Sequence, residues 1–334
     1  MEPTYILAGK LQRDILIPPF DKPLIDVPGG DLLYAAAGLL KWDKSVGLLA
    51  RAGEDYPRKW LHIFEQYGLD TIGIHILPEQ MDLRNFLSYD EQFVRQQNNP
   101  VAHFARLGLP FPKILLGYQP PVDTGVVPAK VAISSPRPSE IPNDYLHSRR
   151  VHLCELEYPT VSRLVSTFRE NQVKTLTLDP PANWMQPTNW SDISLILNGL
   201  SAFLPSEQEL RALFWGKTTD LVEMAQAIAA HNCQLVVVKC GSQGQLLYDS
   251  ASHKCWQIPA YPVKMMDPTG AGASFCGGFL AGLKLSDDPL QAVLHGNISA
   301  SLTIEGSGAF HILESHIGLA EARLNSLKEN IREI

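Results

Sequence analysis

Residues 264 to 283 read KMMDPTGAGASFCGGFLAGL, a glycine-rich turn followed by apolar residues at helical spacing. Gly270 and Gly272 flank Ala271 in the turn, and the spacing predicts that a helix begins near Ser274. The first N–H groups of a helix have no partner within the helix and carry a partial positive charge. The segment is therefore predicted to hold an anion such as a phosphate group. The alternative is a turn that only tightens a strand-to-helix connection.

Three well-known glycine motifs do not fit this segment. A dinucleotide-binding fingerprint requires a third glycine where the chain has Phe275, and a Walker A loop requires Gly-Lys-Ser/Thr, which does not follow. A nucleophile elbow requires a glycine two residues after Ser274, where Cys276 stands instead. If the turn binds an anion, it is therefore none of these three kinds of site.

The same segment resembles the second signature of the ribokinase (PfkB) family of carbohydrate kinases, written D-T-x-G-A-G-D-x-F. The matching residues are Asp267, Thr269, Gly270, Ala271, Gly272 and Phe275. In that family the last aspartate of the signature is the catalytic base, which takes the proton from the sugar hydroxyl as the hydroxyl attacks the γ-phosphate. The resemblance implies an anion hole at residues 270–272, and Ala273 stands where the base is expected.

Earlier segments resemble the same family in the same order and imply a sugar pocket. The residues implied to contact the substrate are Asp14, Gly29, Gly30, Tyr34 and Glu157. The family often has asparagine where this chain has Tyr34, and an aromatic ring there suits stacking on a base or an apolar ring. The resemblance therefore implies a sugar or nucleoside as the substrate.

Later segments imply a nucleotide site. The residues implied to contact the nucleotide are Ser206, Lys239, Gly241, Gly244 and Asn297. The stretch from Ser206 to Glu209 resembles an N-x-x-E motif that organises Mg²⁺ and phosphates, with serine in place of asparagine, so Glu209 is implied to act on Mg²⁺ indirectly. Asp267 and Thr269 are implied to contribute to a monovalent cation site, for K⁺, of the kind that some relatives have.

Taken alone, each of these residues has a plainer interpretation. Asp14 suits a turn, Glu209 suits the start of a helix, and Lys239 suits the solvated end of a strand. The strand-end rule for open α/β sheets nevertheless predicts that Asp14, Asp179 and Glu209 emerge at one edge of the sheet. Several carboxylates at one edge suit a Mg-nucleotide and a polyol.

Strand-like and helical patterns alternate along the chain. Predicted strands are 5–8, 175–178, 193–197 and 235–239, and predicted helices are 162–169 and 221–231. This alternation predicts right-handed βαβ units and an α/β fold with a mostly parallel central sheet covered by helices on both faces. The resemblance implies a ribokinase-like fold.

Two segments break the alternation and read as strands outside the central sheet. We expect a single domain over residues 1–334, with the strands of a small β lid inserted at about 11–27 and 72–116. Residues 100–142 are rich in proline and are expected to form loop, with short strands near 113–116 and 129–134.

Composition excludes several classes of protein. The chain has 334 residues, of which 45% are hydrophobic and 19% charged, so a folded protein is predicted. Its net charge of −7 argues against binding to nucleic acid or to an anionic membrane surface. The apolar stretch from Leu32 to Leu40 is too short to span a bilayer, and we expect a cytoplasmic protein with no membrane role. The five cysteines, without a C-x-x-C pair, are expected to be reduced and buried.

Two functions follow from these features. The first is ATP-dependent phosphotransfer to an alcohol group of a sugar or nucleoside, impaired by the loss of the catalytic base at Ala273. General-base assistance is typically worth about 10²- to 10⁴-fold, so such a kinase is predicted to be slow rather than inactive. The second is a catalytically silent nucleotide- or sugar-binding protein on the same fold. In either case a homodimer is expected, because a β lid with exposed strand edges often pairs with a second copy.

Overall fold

The computed structural model describes residues 2–120, 131–316 and 318–334. Its strands are β1 Tyr5–Ala8, β2 Gln12–Ile17, β3 Leu24–Gly29, β4 Val46–Gly53, β5 Leu69–Asp70, β6 Ile74–Leu77, β7 Arg84–Tyr89, β8 Arg95–Gln96, β9 Arg150–Leu153, β10 Thr175–Leu178, β11 Ala202–Phe203, β12 Leu235–Lys239, β13 Gln245–Asp249, β14 Lys254–Ile258 and β15 Arg332–Glu333. Its α-helices are α1 Asp31–Leu40, α2 Arg58–Gln66, α3 Pro100–Arg106, α4 Asn143–Leu146, α5 Tyr158–Glu170, α6 Trp190–Leu197, α7 Glu207–Leu213, α8 Leu221–Ala229, α9 Ala271–Ser286, α10 Pro289–Thr303 and α11 Leu319–Leu327. Among these helices, none is both long and apolar enough to cross a membrane.

The larger sheet has the strand order β15-β14-β13-β12-β11-β10-β9-β1-β4-β5, and β6 also pairs with β4. From β12 to β5 the neighbouring strands are parallel, and β12 to β15 are antiparallel. Alternate residues of β1 face opposite apolar clusters: Ile6 packs with α5 to α8, and Leu7 packs with α1, α2 and α9. The predicted mostly parallel sheet with helices on both faces is confirmed.

A smaller sheet has the order β3-β2-β7-β8. Strands β2 and β7 are parallel, and their register sets Asp14 opposite Asn85. Because side chains alternate along a strand, Phe86 packs against Ile15 on one face, while Asn85 and Leu87 line a cavity on the other. The smaller sheet therefore contributes one wall of that cavity.

Several sequence predictions match the described elements closely. The strands at 5–8, 175–178 and 235–239 are β1, β10 and β12 with the predicted bounds. The helix at 162–169 lies within α5, and the helix at 221–231 corresponds to α8. All five cysteines are free, and four of them are buried, whereas Cys240 is half-buried.

Other predictions were wrong in detail. Residues 193–197 belong to α6, where Ile193, Ile196 and Leu197 are buried at helical spacing; a short apolar run does not distinguish strand from helix. Within 72–89, β6 joins the larger sheet and only β7 joins the smaller one. Residues 113–115 form a 3₁₀ turn, and α3 is a helix in a segment expected to be loop. Residues 131–134 form no strand, and 129–130 lie outside the described residues.

Helices α1 and α9 approach each other closely and run from the same edge of the molecule. A Cβ at Gly38 would lie 2.2 Å from the carbonyl oxygen of Ser274, and one at Gly277 would lie 1.8 Å from that of Ala35. Only glycine permits these distances between backbones. The contact fixes the N-termini of α1 and α9 side by side, and the candidate site lies there.

Candidate functional site

Two cavities meet at the turn before α9. The small cavity, of about 390 Å³, is lined among others by Lys10, Asp14, Asp31, Tyr34, Asn85, Glu155, Glu157 and Gly270. The large cavity, of about 770 Å³, is lined among others by Lys239, Gly241, Tyr261, Ala271, Gly272, Phe275 and Asn297. Successive residues of one turn thus face two different cavities.

The turn leaves backbone amides open. Helix α9 begins at Ala271, earlier than predicted, and Gly270 before it has a left-handed φ of 74°. The amide of Ala271 donates to the carbonyl oxygen of Pro268 at 3.3 Å, whereas those of Gly272 and Ala273 meet no acceptor in the described part of the chain. The Gly270 amide likewise meets no acceptor among the described residues, so of the predicted 270–272 only Ala271 is engaged, and the amide of Ala273 adds a further open donor.

The side chain of Ala273 takes no part in this polar surface. It is 6% exposed and belongs to the apolar cluster that contains Leu33 and Leu280. A methyl group packed in this way offers no proton acceptor at the position.

Asp14 is buried at the base of the small cavity, with 1% of its surface exposed. Its Oδ1 accepts a hydrogen bond from Asn85 Nδ2 at 3.0 Å, and the carboxylate also accepts one from the Gly30 amide. Burial raises the pKa of Asp14 to about 7 against the lowering effect of these bonds. A Cβ at Gly29 would lie 1.8 Å from Asp14 Oδ2, so the glycine pair makes room for this carboxylate.

Glu157 is fixed by a different set of partners. Lys10 donates to its Oε1, and Ser135 Oγ donates to Oε2 at 2.5 Å. Burial acts to raise the pKa of Glu157, but Lys10 and the hydrogen bonds outweigh it, and the pKa lies below its usual range. Glu157 is therefore an ionised, oriented acceptor.

Tyr34 packs its ring over the turn. A Cβ at Gly270 would lie 2.0 Å from Tyr34 Cδ1, so ring and backbone are in close contact. The hydroxyl is buried and has no hydrogen-bond partner among the described residues. Burial raises the pKa of Tyr34 well above its ordinary value.

Two carboxylates of the small cavity were missed by the sequence reasoning. Asp31 is the first residue of α1, and Glu155 follows β9. Neither has a hydrogen-bond partner in the described residues, and burial is the main cause that raises the pKa of each. The rule that places ligands at strand ends would have found Glu155, but the resemblance pointed to Glu157 in that segment. For Asp31, the resemblance pointed to the glycine pair that precedes it and not to Asp31 itself.

Lys239 lies beside the open amides. Its Nζ is 2.6 Å from Asp179 Oδ1 and would be 3.4 Å from a Cβ at Gly272. Burial alone would lower the pKa of Lys239, but the neighbouring carboxylates of Asp179 and Glu209 raise it above its ordinary value. Lys239 is thus a permanent positive charge at the inner end of the large cavity.

Ser206 and Glu209 form a capping box at the start of α7. Ser206 Oγ accepts from the Glu209 amide at 3.2 Å, and Glu209 Oε2 accepts from the Ser206 amide at 2.7 Å. Burial raises the pKa of Glu209, with Lys239 acting in the opposite direction. These contacts are those expected of a glutamate at the start of a helix. Ser206, which was expected at the nucleotide, does not line the large cavity.

The remaining residues expected at the nucleotide differ in position. Gly241 lines the large cavity and Gly244 does not; a Cβ at Gly244 would lie 2.0 Å from the carbonyl oxygen of Ile258. Asn297 lines the cavity, but its amide donates to Gln245 Oε1 and the Pro259 carbonyl oxygen, and its Oδ1 accepts from the Tyr261 amide. Asn297 therefore holds the cavity wall together.

Asp267 and Thr269 directly precede the turn, and both are buried. Asp267 Oδ1 accepts from the Thr269 amide at 2.9 Å and from Thr269 Oγ1 at 2.6 Å. Asp267 is buried, and its Oδ2 has no partner among the described residues. An unpaired buried carboxylate oxygen fits the binding of a cation.

Comparison with known proteins agrees with the fold. Residues 142–315, more than half of the chain, match the family described as pfkB family carbohydrate kinase, and the chain belongs to this family. A cytidine kinase of Thermococcus kodakarensis is 25% identical over 277 residues, which are 83% of this chain and 87% of that protein.

Solved structures show the same ribokinase-like architecture. A fructokinase double mutant of Vibrio cholerae, solved with fructose, ADP and potassium ion, has a TM-score of 0.68 at 20% identity and covers 98% of this chain and 99% of its own. A Burkholderia thailandensis nucleoside kinase, in complex with inosine, has a TM-score of 0.69 at 14% identity and covers 96% of both chains.

Proposed function

We propose that this protein transfers the γ-phosphoryl group of ATP to a hydroxyl group of a sugar or nucleoside. The observation that carries the proposal is the pair of cavities that meet at the open amides of Gly272 and Ala273, in a chain of the pfkB family. In this proposal ATP occupies the large cavity and the hydroxyl compound occupies the small one. The phosphoryl group then crosses at the turn.

The residues between the cavities suit phosphoryl transfer. Negative charge spreads over the transferred group in the transition state, and fixed donors around it lower the barrier. The open amides at the start of α9 and the charge of Lys239 supply such donors at one place. The apolar side chains of Tyr261 and Phe275 suit the nucleobase farther out in the large cavity.

The small cavity suits a polyhydroxyl compound. Asp14 and Glu157 are buried carboxylates held in place by neighbouring side chains, and Asn85 adds an amide. Rigid acceptors of this kind recognise hydroxyl groups directionally. The ring of Tyr34 adds an apolar surface beside them.

In this proposal Mg²⁺ binds beside Lys239, next to the large cavity. The carboxylates of Asp179 and Glu209 lie near Lys239, although neither lines the cavity, and the described residues contain no group of three His, Cys, Asp or Glu side chains placed to hold a metal alone. Mg²⁺ usually takes one or two carboxylates together with substrate phosphates, and these two carboxylates would hold it. When bound, it neutralises charge on the phosphates.

A monovalent cation such as K⁺ fits at Asp267 and Thr269. The unpaired Asp267 Oδ2 supplies a charged oxygen, and the Thr269 hydroxyl lies 2.6 Å from the other carboxylate oxygen. These residues precede the turn directly, so a cation there would stabilise its conformation.

The competing function is a silent nucleotide or sugar binder. It is favoured by Ala273, which leaves the expected base position apolar. Thermal shift with ATP, ADP and GTP, followed by transfer of labelled phosphate to cytidine, inosine, ribose and fructose, separates the two. We expect ATP binding and a phosphorylated hydroxyl product; binding without transfer to any hydroxyl compound would favour the silent binder, and absence of binding would contradict both.

We also propose that the protein forms a homodimer through its smaller sheet. Exposed apolar side chains on or next to that sheet are Phe20, Ile25 and Val94. Burial of such residues against a second copy would remove them from water. Light scattering with Ile25→Lys against the unchanged chain tests this: a shift from dimer to monomer is expected, and a monomeric unchanged chain would contradict it.

A further inference from the structure

We propose that Asp31 is the general base of the transfer reaction, in place of the carboxylate that position 273 lacks. The inference rests on the proposed kinase function and assigns one further catalytic residue to it. Asp31 is the first residue of α1 and lines the small cavity next to Gly270.

The position of Asp31 follows from the packing of α1 against α9. Tyr34, one turn further along α1, presses its ring on Gly270, and the close contacts along the two helices fix their N-termini side by side. Asp31 therefore lies at the same edge as the open amides. Asp31 and Gly270 line the small cavity, and Ala271 and Gly272, the next residues of the turn, line the large one. Asp31 thus stands where the two cavities meet.

The other carboxylates of the small cavity are less suited to take a proton at this point. Asp14 is held by Asn85 and the Gly30 amide, and Glu157 is held by Lys10 and Ser135. Their lone pairs are already directed at these donors, whereas the carboxylate of Asp31 has no hydrogen-bond partner among the described residues.

Glu155 is the rival, since it also lines the small cavity without a hydrogen bond. Glu155 follows β9 and is carried by the central sheet. Asp31, by contrast, begins α1, whose Tyr34 packs its ring on Gly270 of the turn. A base must reach the hydroxyl that attacks at the turn, and this packing selects Asp31.

In the transfer step one P–O bond forms and another breaks, and one proton moves to Asp31. The hydroxyl oxygen forms a bond to the γ-phosphorus, the bond from that phosphorus to the β–γ bridging oxygen breaks, and ADP leaves. The O–H bond of the acceptor breaks, and its proton passes to the ionised carboxylate of Asp31. Release of this proton to water returns the carboxylate for the next cycle.

The central test moves the carboxylate from one helix to the other. Asp31→Asn is expected to lower kcat by about 10²- to 10⁴-fold while the thermal shift with ATP is retained. Adding Ala273→Asp to this variant is expected to recover at least about tenfold of the loss, because the carboxylate then stands on α9 across the same hydroxyl.

A second measurement covers the case in which Ala273→Asp does not fold. Asp31→Ala leaves a space that a small carboxylate can enter, and added formate is expected to raise its kcat several-fold without raising that of the unchanged chain. Glu155→Ala is the matched control and is expected to show no gain from formate.

The outcomes separate this inference from the proposed function. If the unchanged chain phosphorylates a hydroxyl compound and Asp31→Asn keeps its kcat, the inference is wrong and the kinase function stands. Rescue of Glu155→Ala by formate, without rescue of Asp31→Ala, would overturn it in favour of Glu155. If the unchanged chain transfers phosphate to no hydroxyl compound, it is the proposed function that fails.

Discussion

The small and large cavities lie on either side of one turn but are built in different ways. In the small cavity, buried carboxylates such as Asp14 and Glu157 are held by neighbours and face the interior. In the large cavity, the polar side chain of Asn297 is fully used by the protein, and charge is concentrated at the inner end, at Lys239. The contrast indicates that the small cavity selects its ligand by directional hydrogen bonds, and the large one mainly by shape and by charge at the turn.

Among the changes that compare the two cavities, removing the cation of the large cavity should have the largest effect. Lys239→Met is expected to lower kcat by about 10²- to 10³-fold, because the transferred group loses a fixed positive charge. It should also lower the free energy of unfolding by about 3–5 kcal/mol, since Asp179 is left buried without its partner. Steady-state kinetics and chemical denaturation measure the two effects.

The double variant Lys239→Met/Asp179→Asn controls for this loss of stability. It removes both charges, so the free energy of unfolding should return toward that of the unchanged chain while kcat stays low. A Lys239→Met protein that keeps its kcat would show that the charge lies away from the reacting group.

The buried carboxylate of the small cavity should make stability depend on pH. The pKa of Asp14 is about 7 in the folded chain and near 4 when unfolded, so its contribution to stability is fully present below pH 4 and is lost as the pH rises toward 7. From pH 5 to 8 the unchanged chain should lose about 2–3 kcal/mol more stability than Asp14→Asn. Urea denaturation at these two pH values tests the difference, and equal losses in the two proteins would contradict it.

A larger side chain in the small cavity should weaken binding of the hydroxyl acceptor and leave nucleotide binding unchanged. Gly29→Ala places a Cβ 1.8 Å from Asp14 Oδ2, so the carboxylate must move. The KM for the hydroxyl substrate is expected to rise by about tenfold or more, a loss of at least about 1.4 kcal/mol of binding, with the Kd of ATP unchanged. A parallel change in both constants would mean that the two cavities are not separate sites.

The smallest effect is expected for Tyr34→Phe. The Tyr34 hydroxyl is buried without a partner among the described residues, and losing it should raise the free energy of unfolding by about 1 kcal/mol. The KM for the acceptor should stay within about twofold, because the buried hydroxyl offers no accessible atom to the acceptor. A large rise in KM would show instead that the hydroxyl binds the acceptor.

Most of the fold could be predicted from the sequence. Strands β1, β10 and β12 are compact apolar runs whose bounds follow from their flanking residues. The strand prediction for 193–197 was wrong because the length and composition of this apolar run suit a strand or a helix equally. Only the packing of Ile193 and Ile196 selects the helix. Strand β6 likewise joins the larger sheet through a pairing with β4 that no local pattern indicates.

Less of the candidate site could be predicted. Strand ends pointed to Asp14 and Asp179, and the turn pointed to an anion site. The side chain of Asn297 is used by hydrogen bonds with Gln245 and Tyr261, which are distant in sequence, so the sequence did not indicate this. The place of Asp31 depends on how α1 packs on α9, and a comparison of motifs position by position does not reveal it.

The most direct measurement is a crystal structure with ADP, aluminium fluoride and the preferred hydroxyl compound, because the fluoride complex mimics the group in transfer. We predict that this group lies within hydrogen-bond distance, about 3.1 Å, of the Gly272 and Ala273 amides. The nucleotide should occupy the large cavity and the hydroxyl compound the small one. A fluoride group bound away from both amides, or two ligands sharing one cavity, would contradict this prediction.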